Sequence, residues 1–338
     1  MADGEGASGG GRGRSVSGVP SLEPVKGGHM KESDIRLLME ISQDNDLLPG
    51  WQRGVERQRA KTTRAGNLLY VSSYPIWDTS TAQQAREKLA KAREKKGTTD
   101  AQKRLNARKA ENKLVQIINA NFGAGDHLVT CTYAQGKEPS DLPAAQKNMR
   151  NYMARVKRLC RRRGMDDPSY VYVTEVTTSN RWGTRYHHHM VMRCGLTRQE
   201  VEDLWTKTHG ICNTKKAQRL KEGLTGWAKY IAKQVCAGES VDLYATKHRW
   251  CASKGLTVPE PTTADKKISR RRVESMAREI KRDPETAKLH LEACYPGYEV
   301  LELNVRTSAW VSGAYVDAVL CRREDGRAGG RKKDETNG

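Results

Sequence analysis

The period of apolar and polar positions changes several times along the chain, and each change marks an element. Residues 66–75, with Leu68, Leu69, Tyr70 and Val71, read as a strand ended by Pro75. From 81 to 116 strong helix formers dominate, broken at 97–99. This predicts one helix up to Lys96 and another from Thr99 towards Asn119, with Thr99 as N-cap and Gln102 completing a capping box. A β-branched run over 127–133 predicts a strand. Met149, Met153, Val156 and Leu159 recur at helical spacing and predict a helix over 146–163, stopped by Gly164. Residues 170–176 and 186–192 read as two strands around a turn signal at 180–183, giving a hairpin.

Thr197 is placed to cap a helix over 198–206, and a further helix is predicted over 215–235, weakened by Gly223 and Gly226. A Pro-rich linker at 258–261 precedes a basic helix over 268–282 and two strands, 299–305 and 309–320. The order strand, helix, strand, strand, helix predicts an α+β domain over 123–240, an antiparallel sheet with helices packed on it. Around it lie a disordered tail (1–28), a basic strand and helical region (29–122), a basic C-terminal α/β extension (241–321) and a second disordered tail (322–338). No internal repeat is present.

Charge narrows the class of partner. The 338 residues carry 60 Lys and Arg against 40 acids, a net charge of +20. Such a balance points to a polyanion, with nucleic acid the default. No apolar run approaches the roughly 18 residues that span a bilayer, so no membrane role is expected. The Gly-, Ser- and Arg-rich first residues do not resemble a secretory signal. Eight cysteines are scattered without a C-x-x-C pair, which argues against a zinc ribbon or a disulfide framework and for reduced thiols in a cytoplasm. The basic stretch over 81–116 serves equally as a solvated helix face or a phosphate-contacting surface.

Candidate chemistry gathers within 123–240. Side chains alternate along a strand, so His187 and His189 share one face and His188 points to the other. Two imidazoles so spaced can share a divalent metal; an isolated triplet reads as a solvated or core-satisfied run. Glu175 on the preceding strand is either a third donor or a strand-end carboxylate pairing with Arg181 or Arg185. Downstream, Tyr230 and Lys233 stand at i and i+3 on one helix face. A phenol ionises near ~10 and needs help to attack phosphorus. A metal can polarise a non-bridging oxygen, and a lysine can support the phenolate or hold the phosphate. His187, His189 and Glu175 form a mixed N/O set suited to Mn²⁺ or Mg²⁺.

Three stretches together resemble the HUH endonucleases, and more narrowly the single-tyrosine replication initiators of rolling-circle plasmids, phages and integrated elements. Leu128 to Tyr133, an apolar strand ending in Thr and Tyr, is similar to that family's first motif. Thr184 to Met192, with Arg185 shortly before His187, is similar to the second. Trp227 to Lys233 is similar to the third. The resemblance covers about 123–240, and departs from the usual pattern in placing His188 where an apolar residue is common. It implies a five-stranded antiparallel sheet with the histidines on a central strand and the tyrosine helix beside it.

The resemblance further implies nicking of one strand at a single-stranded or hairpin origin. Tyr230 would form a 5′-phosphotyrosine link with Lys233 assisting and a Mn²⁺ or Mg²⁺ ion on His187, His189 and Glu175. A free 3′-OH would prime synthesis, and the strand would later be rejoined. No P-loop occurs in the sequence, so a host helicase is an expected partner beside the host DNA polymerase, in a bacterial cytoplasm. No second tyrosine lies one turn from Tyr230, which leaves termination to a second protomer of a homodimer, to the same tyrosine, or to water. Two other readings stand: a single-tyrosine HUH transposase or relaxase, and a non-catalytic basic nucleic-acid-binding regulator.

Overall fold

The computed structural model describes residues 33–35, 55–77, 98–179, 183–236, 250–307 and 313–323, with a few single residues between 83 and 90. The N-terminal tail, most of the helix expected before Lys96, and the side chains of Thr99 and Gln102 lie outside the described residues. So does the C-terminal tail, apart from Arg322 and Arg323.

In chain order the elements begin with β1 (Val55–Ala65), β2 (Leu68–Trp77), α1 (Thr98–Asn121), β3 (His127–Tyr133), α2 (Leu142–Arg162), β4 (Ser169–Ser179) and β5 (Gly183–Arg193). They continue with α3 (Arg198–Thr206), β6 (Gly210–Lys216), α4 (Thr225–Cys236), β7 (Cys251–Ala252), β8 (Pro261–Ala264), α5 (Arg270–Glu279), α6 (Pro284–Glu292), β9 (Tyr298–Thr307) and β10 (Ala314–Arg322). The strands form two antiparallel five-stranded sheets, ordered β6-β3-β5-β4-β7 and β8-β1-β2-β10-β9. The class is α+β, and the histidine strand β5 is central in the first sheet, as expected.

Each face of the first sheet has its own core. Val129, Cys131, Tyr133, Tyr172, Met190 and Met192 pack under α2 and α3, where Met149, Val156, Val201 and Trp205 are fully buried or nearly so. On the opposite face Val171, Val173 and Val191 pack against Ile118 of α1 and Ala228 and Ile231 of α4. Local signals fix the helix starts. Thr197 and Glu200 form a reciprocal capping box on α3, and Asp141 caps α2 with Pro143 in its first turn.

The second sheet is built from both ends of the chain. One of its faces is closed by α5 and α6 through Val273, Met276 and Leu291, packed on Leu69, Val71, Val316 and Leu320. This sheet was not foreseen. β1 carries its buried Gln58, Ala60 and Thr63 among charged residues, so no apolar alternation announces it. Pro75 does not end β2, because β10 stops pairing at Ser73 and beyond it a missing N–H leaves no ladder bond unmade on that side. The expected linker ends in β8, whose residues are exposed and pair along the edge of β1.

The helix expected from 215 is another correction. Residues 210–216 are an edge strand with Cys212 and Thr214 buried and the intervening side chains exposed, and the helix starts only at Thr225. The break between them includes Gly223, whose φ of +60° favours glycine. The basic helix expected over 268–282 occupies 270–279, and the strand expected from 309 begins at Ala314.

Candidate active site

Pairing of β3, β4 and β5 sets the site. Thr132 and Glu175 lie in register on either side of His187, and Thr130 and Val173 on either side of His189. Period-two alternation then puts Thr130, Thr132, Glu175, His187 and His189 on one face of the sheet. They continue the apolar strip that α1 and α4 cover.

Geometry within this group is specific. Thr132 Oγ1 is 3.2 Å from His187 Nδ1, and Thr130 Oγ1 is 3.3 Å from His189 Nδ1. Glu175 Oε2 is 2.8 Å from His189 Nε2, and its Oε1 accepts from the Thr177 hydroxyl at 3.3 Å. Hydrogen bonding from His189, and its charge, hold the Glu175 carboxyl below the usual range. Burial lowers the His187 pKa. Of the alternatives read for Glu175, Arg181 lies outside the described residues, and among those described the carboxylate bonds to His189 and Thr177.

From α4 come the aromatic groups. The Tyr230 ring meets His189 edge-on at 5.5 Å, and Trp227 meets the same imidazole at 6.1 Å. Trp227 and Tyr230, three residues apart on the helix, lie 5.7 Å from one another. Tyr230 is 45% exposed, so its ring lines the site while leaving room for a ligand. Lys233 falls on the last part of α4, and its side chain lies outside the described residues.

The start of α4 is held from below. Asn119 of α1 accepts from the Leu224 N–H at 2.8 Å and donates to Thr225 Oγ1 at 3.0 Å and to Tyr70 Oη at 3.2 Å. Gly66 approaches so closely that a Cβ there would sit 2.5 Å from the Asn119 carbonyl oxygen. A second tie runs from Lys229 Nζ to Glu302 Oε1 of β9, at 2.6 Å.

His188 belongs to the other face. Fully buried, it is 3.0 Å from both Tyr133 Oη and Thr174 Oγ1, inside an aromatic group with Trp205 and Tyr172. Burial pushes its pKa down to about 3 and that of Tyr133 up to about 12. It is a core histidine. His209, without a partner in the sequence reading, packs on Trp205 at 4.6 Å.

Two imidazoles and a carboxylate fit a divalent cation of the Mn²⁺ or Mg²⁺ kind by donor chemistry. With each Nδ1 taken by a threonine hydroxyl, the ligating atoms would be the Nε2 atoms. No finished cage exists: among the described residues no group of three His, Cys, Asp or Glu side chains is closed around a metal position, because Glu175 bonds directly to His189. Thr130, Thr132 and Asn119 were missed in the sequence. Alternation along β3 and the register against β5 could have found the two threonines; Asn119 left no signal.

Residues 126–235 match a family model for replication-associated proteins of the ORF2 type. The match runs from the residue before β3 almost to the end of α4. It therefore holds every residue of this site except Asn119, and leaves out the second sheet. No curated protein and no solved structure gives a match. Among the described residues no helix is long and apolar enough to cross a membrane. The matched segment is a replication-associated domain.

Proposed function

We propose that this replication-associated domain nicks one DNA strand at an origin, with Tyr230 as nucleophile. The Tyr230 oxygen attacks the phosphorus and forms the new P–O bond. The bond from phosphorus to the 3′-oxygen breaks, and that oxygen takes up a proton. The products are a 5′-phosphotyrosine link and a free 3′-OH that primes synthesis. The reverse transfer rejoins the strand without ATP, because the covalent link conserves the phosphodiester energy.

His187, His189 and Glu175 would hold a Mn²⁺ or Mg²⁺ ion, which would polarise a non-bridging phosphate oxygen and offset charge developing at phosphorus. The remaining roles belong to the chain itself. Trp227 and the His189 ring fix the Tyr230 ring from two sides, which limits the rotamers available to the nucleophile. Lys233, one helical turn on, would hold the phosphate or stabilise the phenolate. The partners of this activity are single-stranded or hairpin origin DNA, a host helicase and a DNA polymerase.

One observation carries this reading: the edge-on contact of Tyr230 with His189 inside the segment that matches replication-associated proteins. The experiment is incubation with single-stranded origin DNA and Mn²⁺, followed by denaturing electrophoresis for a covalent protein–DNA adduct. Wild type should give the adduct and Tyr230→Phe, which keeps the ring, should give none. Nicking that survives the substitution assigns the nucleophile to another group. Tight salt-sensitive binding with no cleavage on any origin favours a non-catalytic regulator.

A further inference from the structure

The second sheet is unusual in what it turns towards α1. A sheet face opposite a helix ordinarily buries apolar side chains, and the other face of this sheet does so against α5 and α6. The face towards α1 instead presents Lys61, Thr63, Tyr70 and Ser72, and α1 answers with Lys109, Asn112, Lys113 and Gln116. Between them lies a cleft of about 560 Å³. Spacing of four along α1 aligns the two lysines on one side of the helix, while Leu114, Val115, Ile117 and Ile118 serve the core.

Charge in the cleft is mostly of one sign. Of the acids that line it, Asp317 is engaged by Arg306 at 2.5 Å and by the Ser72 hydroxyl at 2.8 Å; Glu260 is the other. Against them stand Lys61, Arg108, Lys109, Lys113 and Arg306. A merely solvated basic helix would present its lysines on a convex surface. Here they overlook a concave floor of hydroxyl groups, which can bond phosphate oxygens and sugars.

We propose that this cleft binds a segment of single-stranded DNA through its phosphate backbone, at a site outside the replication-associated domain. The choice of a single strand rests on size: a volume on the scale of a small-ligand pocket admits one backbone and excludes a duplex. Tyr70, on the cleft floor, shares the Asn119 hub with the first residues of α4. The cleft and the tyrosine helix are thus tied to one buried side chain. The inference rests on the proposed function for its choice of DNA as the polyanion.

The test is fluorescence anisotropy with a labelled oligothymidylate, titrated over a range of salt. Lys109→Glu with Lys113→Glu changes two exposed helix positions, and an unchanged circular dichroism spectrum and melting midpoint establish the fold. The control is Lys281→Glu with Arg282→Glu, the same charge change beyond α5 on the opposite side of the sheet. The cleft variant should bind at least about tenfold more weakly, with a salt slope shallower by roughly 0.7 per lost phosphate contact. The control should bind like wild type. Equal weakening in both variants, or an unchanged slope in the cleft variant, overturns the site. A loss confined to duplex DNA overturns the single-strand assignment. Repeating the titration in the Tyr230→Phe background separates the two readings, since no nick can form there: a failed nicking reaction leaves this binding result standing.

Discussion

Glu175 Oε2 and His189 Nε2 are 2.8 Å apart in a pair largely shielded from solvent. A carboxylate only accepts, so Nε2 carries the proton in this arrangement and Nδ1 must accept from the Thr130 hydroxyl. The pair is also what keeps the site from being a finished metal cage. If a cation enters, Glu175 must release His189, Nε2 becomes a ligand, and the proton moves to Nδ1.

Replacing Glu175 with Gln tests that exchange. The amide oxygen can still accept from His189 Nε2, so the local fold is kept while the charge is lost. Mn²⁺ affinity, read by calorimetry, should fall at least about tenfold, and adduct formation should fall with it. Unchanged affinity would sink Glu175 as a ligand and leave it as a support for His189.

Thr130 and Thr132 are expected to be positioning residues. A hydroxyl can donate to Nδ1 before a cation binds and accept from it afterwards, which neither valine nor a carboxylate can do. Thr130→Val and Thr132→Val should each weaken Mn²⁺ binding about 10–100-fold, and Thr→Ser should restore most of it. The ¹⁵N shifts of the His189 ring provide an independent readout, since they report which nitrogen is protonated. If Val and Ser variants bind alike, packing rather than hydrogen bonding explains these threonines.

Parts of the site were legible because their signals are local. Residues 127–133 and 198–206 have the bounds that alternation and the Thr197 cap predict. The opposed faces of His187 and His188 follow from period two alone. What escaped depends on distant partners. β6 is an edge strand whose lysines and alanine-rich continuation read as helix until β3 pairs with it. β1 is polar on both sides and becomes a strand only between β2 and β8. Asn119 looks like any helix-terminal asparagine until Leu224, more than a hundred residues away, arrives at its side chain.

His188 should give the protein an acid-sensitive stability of definite sign. Its folded pKa is lowered to about 3 from an ordinary value of 6.5, with burial the first cause. At neutral pH both states are uncharged and stability is full. As pH falls below 6.5 the unfolded chain takes up a proton that the folded core refuses, and stability is lost at up to about 1.4 kcal/mol per pH unit until about 3. His187, His127 and His209 are shifted the same way by burial, so the wild-type slope alone does not isolate one residue. The comparison is urea unfolding from neutral pH to about 4 for wild type and His188→Gln, which retains hydrogen bonding without titrating. The variant should be less stable at neutral pH and shallower in its pH dependence. Parallel slopes would show that His188 does not carry the effect.

Two contacts tie α4 to the second sheet, and magnitudes decide which matters. Lys229 to Glu302 is a solvent-exposed ion pair, and such pairs contribute roughly 0–1 kcal/mol. Asn119 is buried and satisfies the Leu224 N–H, Thr225 and Tyr70 at once, so removing it strands several groups of which each costs about 1–3 kcal/mol. Asn119→Leu, close to isosteric, should therefore destabilise by about 2–3 kcal/mol or more in urea unfolding, and Lys229→Met by less than about 1 kcal/mol. The first substitution should also slow adduct formation, because it frees the turn from which α4 projects Tyr230 towards His189. Since Thr225 opens that helix and Tyr230 lies little more than one turn further on, a shift at the start is delivered almost undiminished to the nucleophile. An Asn119→Leu protein as stable as wild type and unchanged in adduct formation would mean that the core around Ile118 and Ile231 alone holds α4 in place.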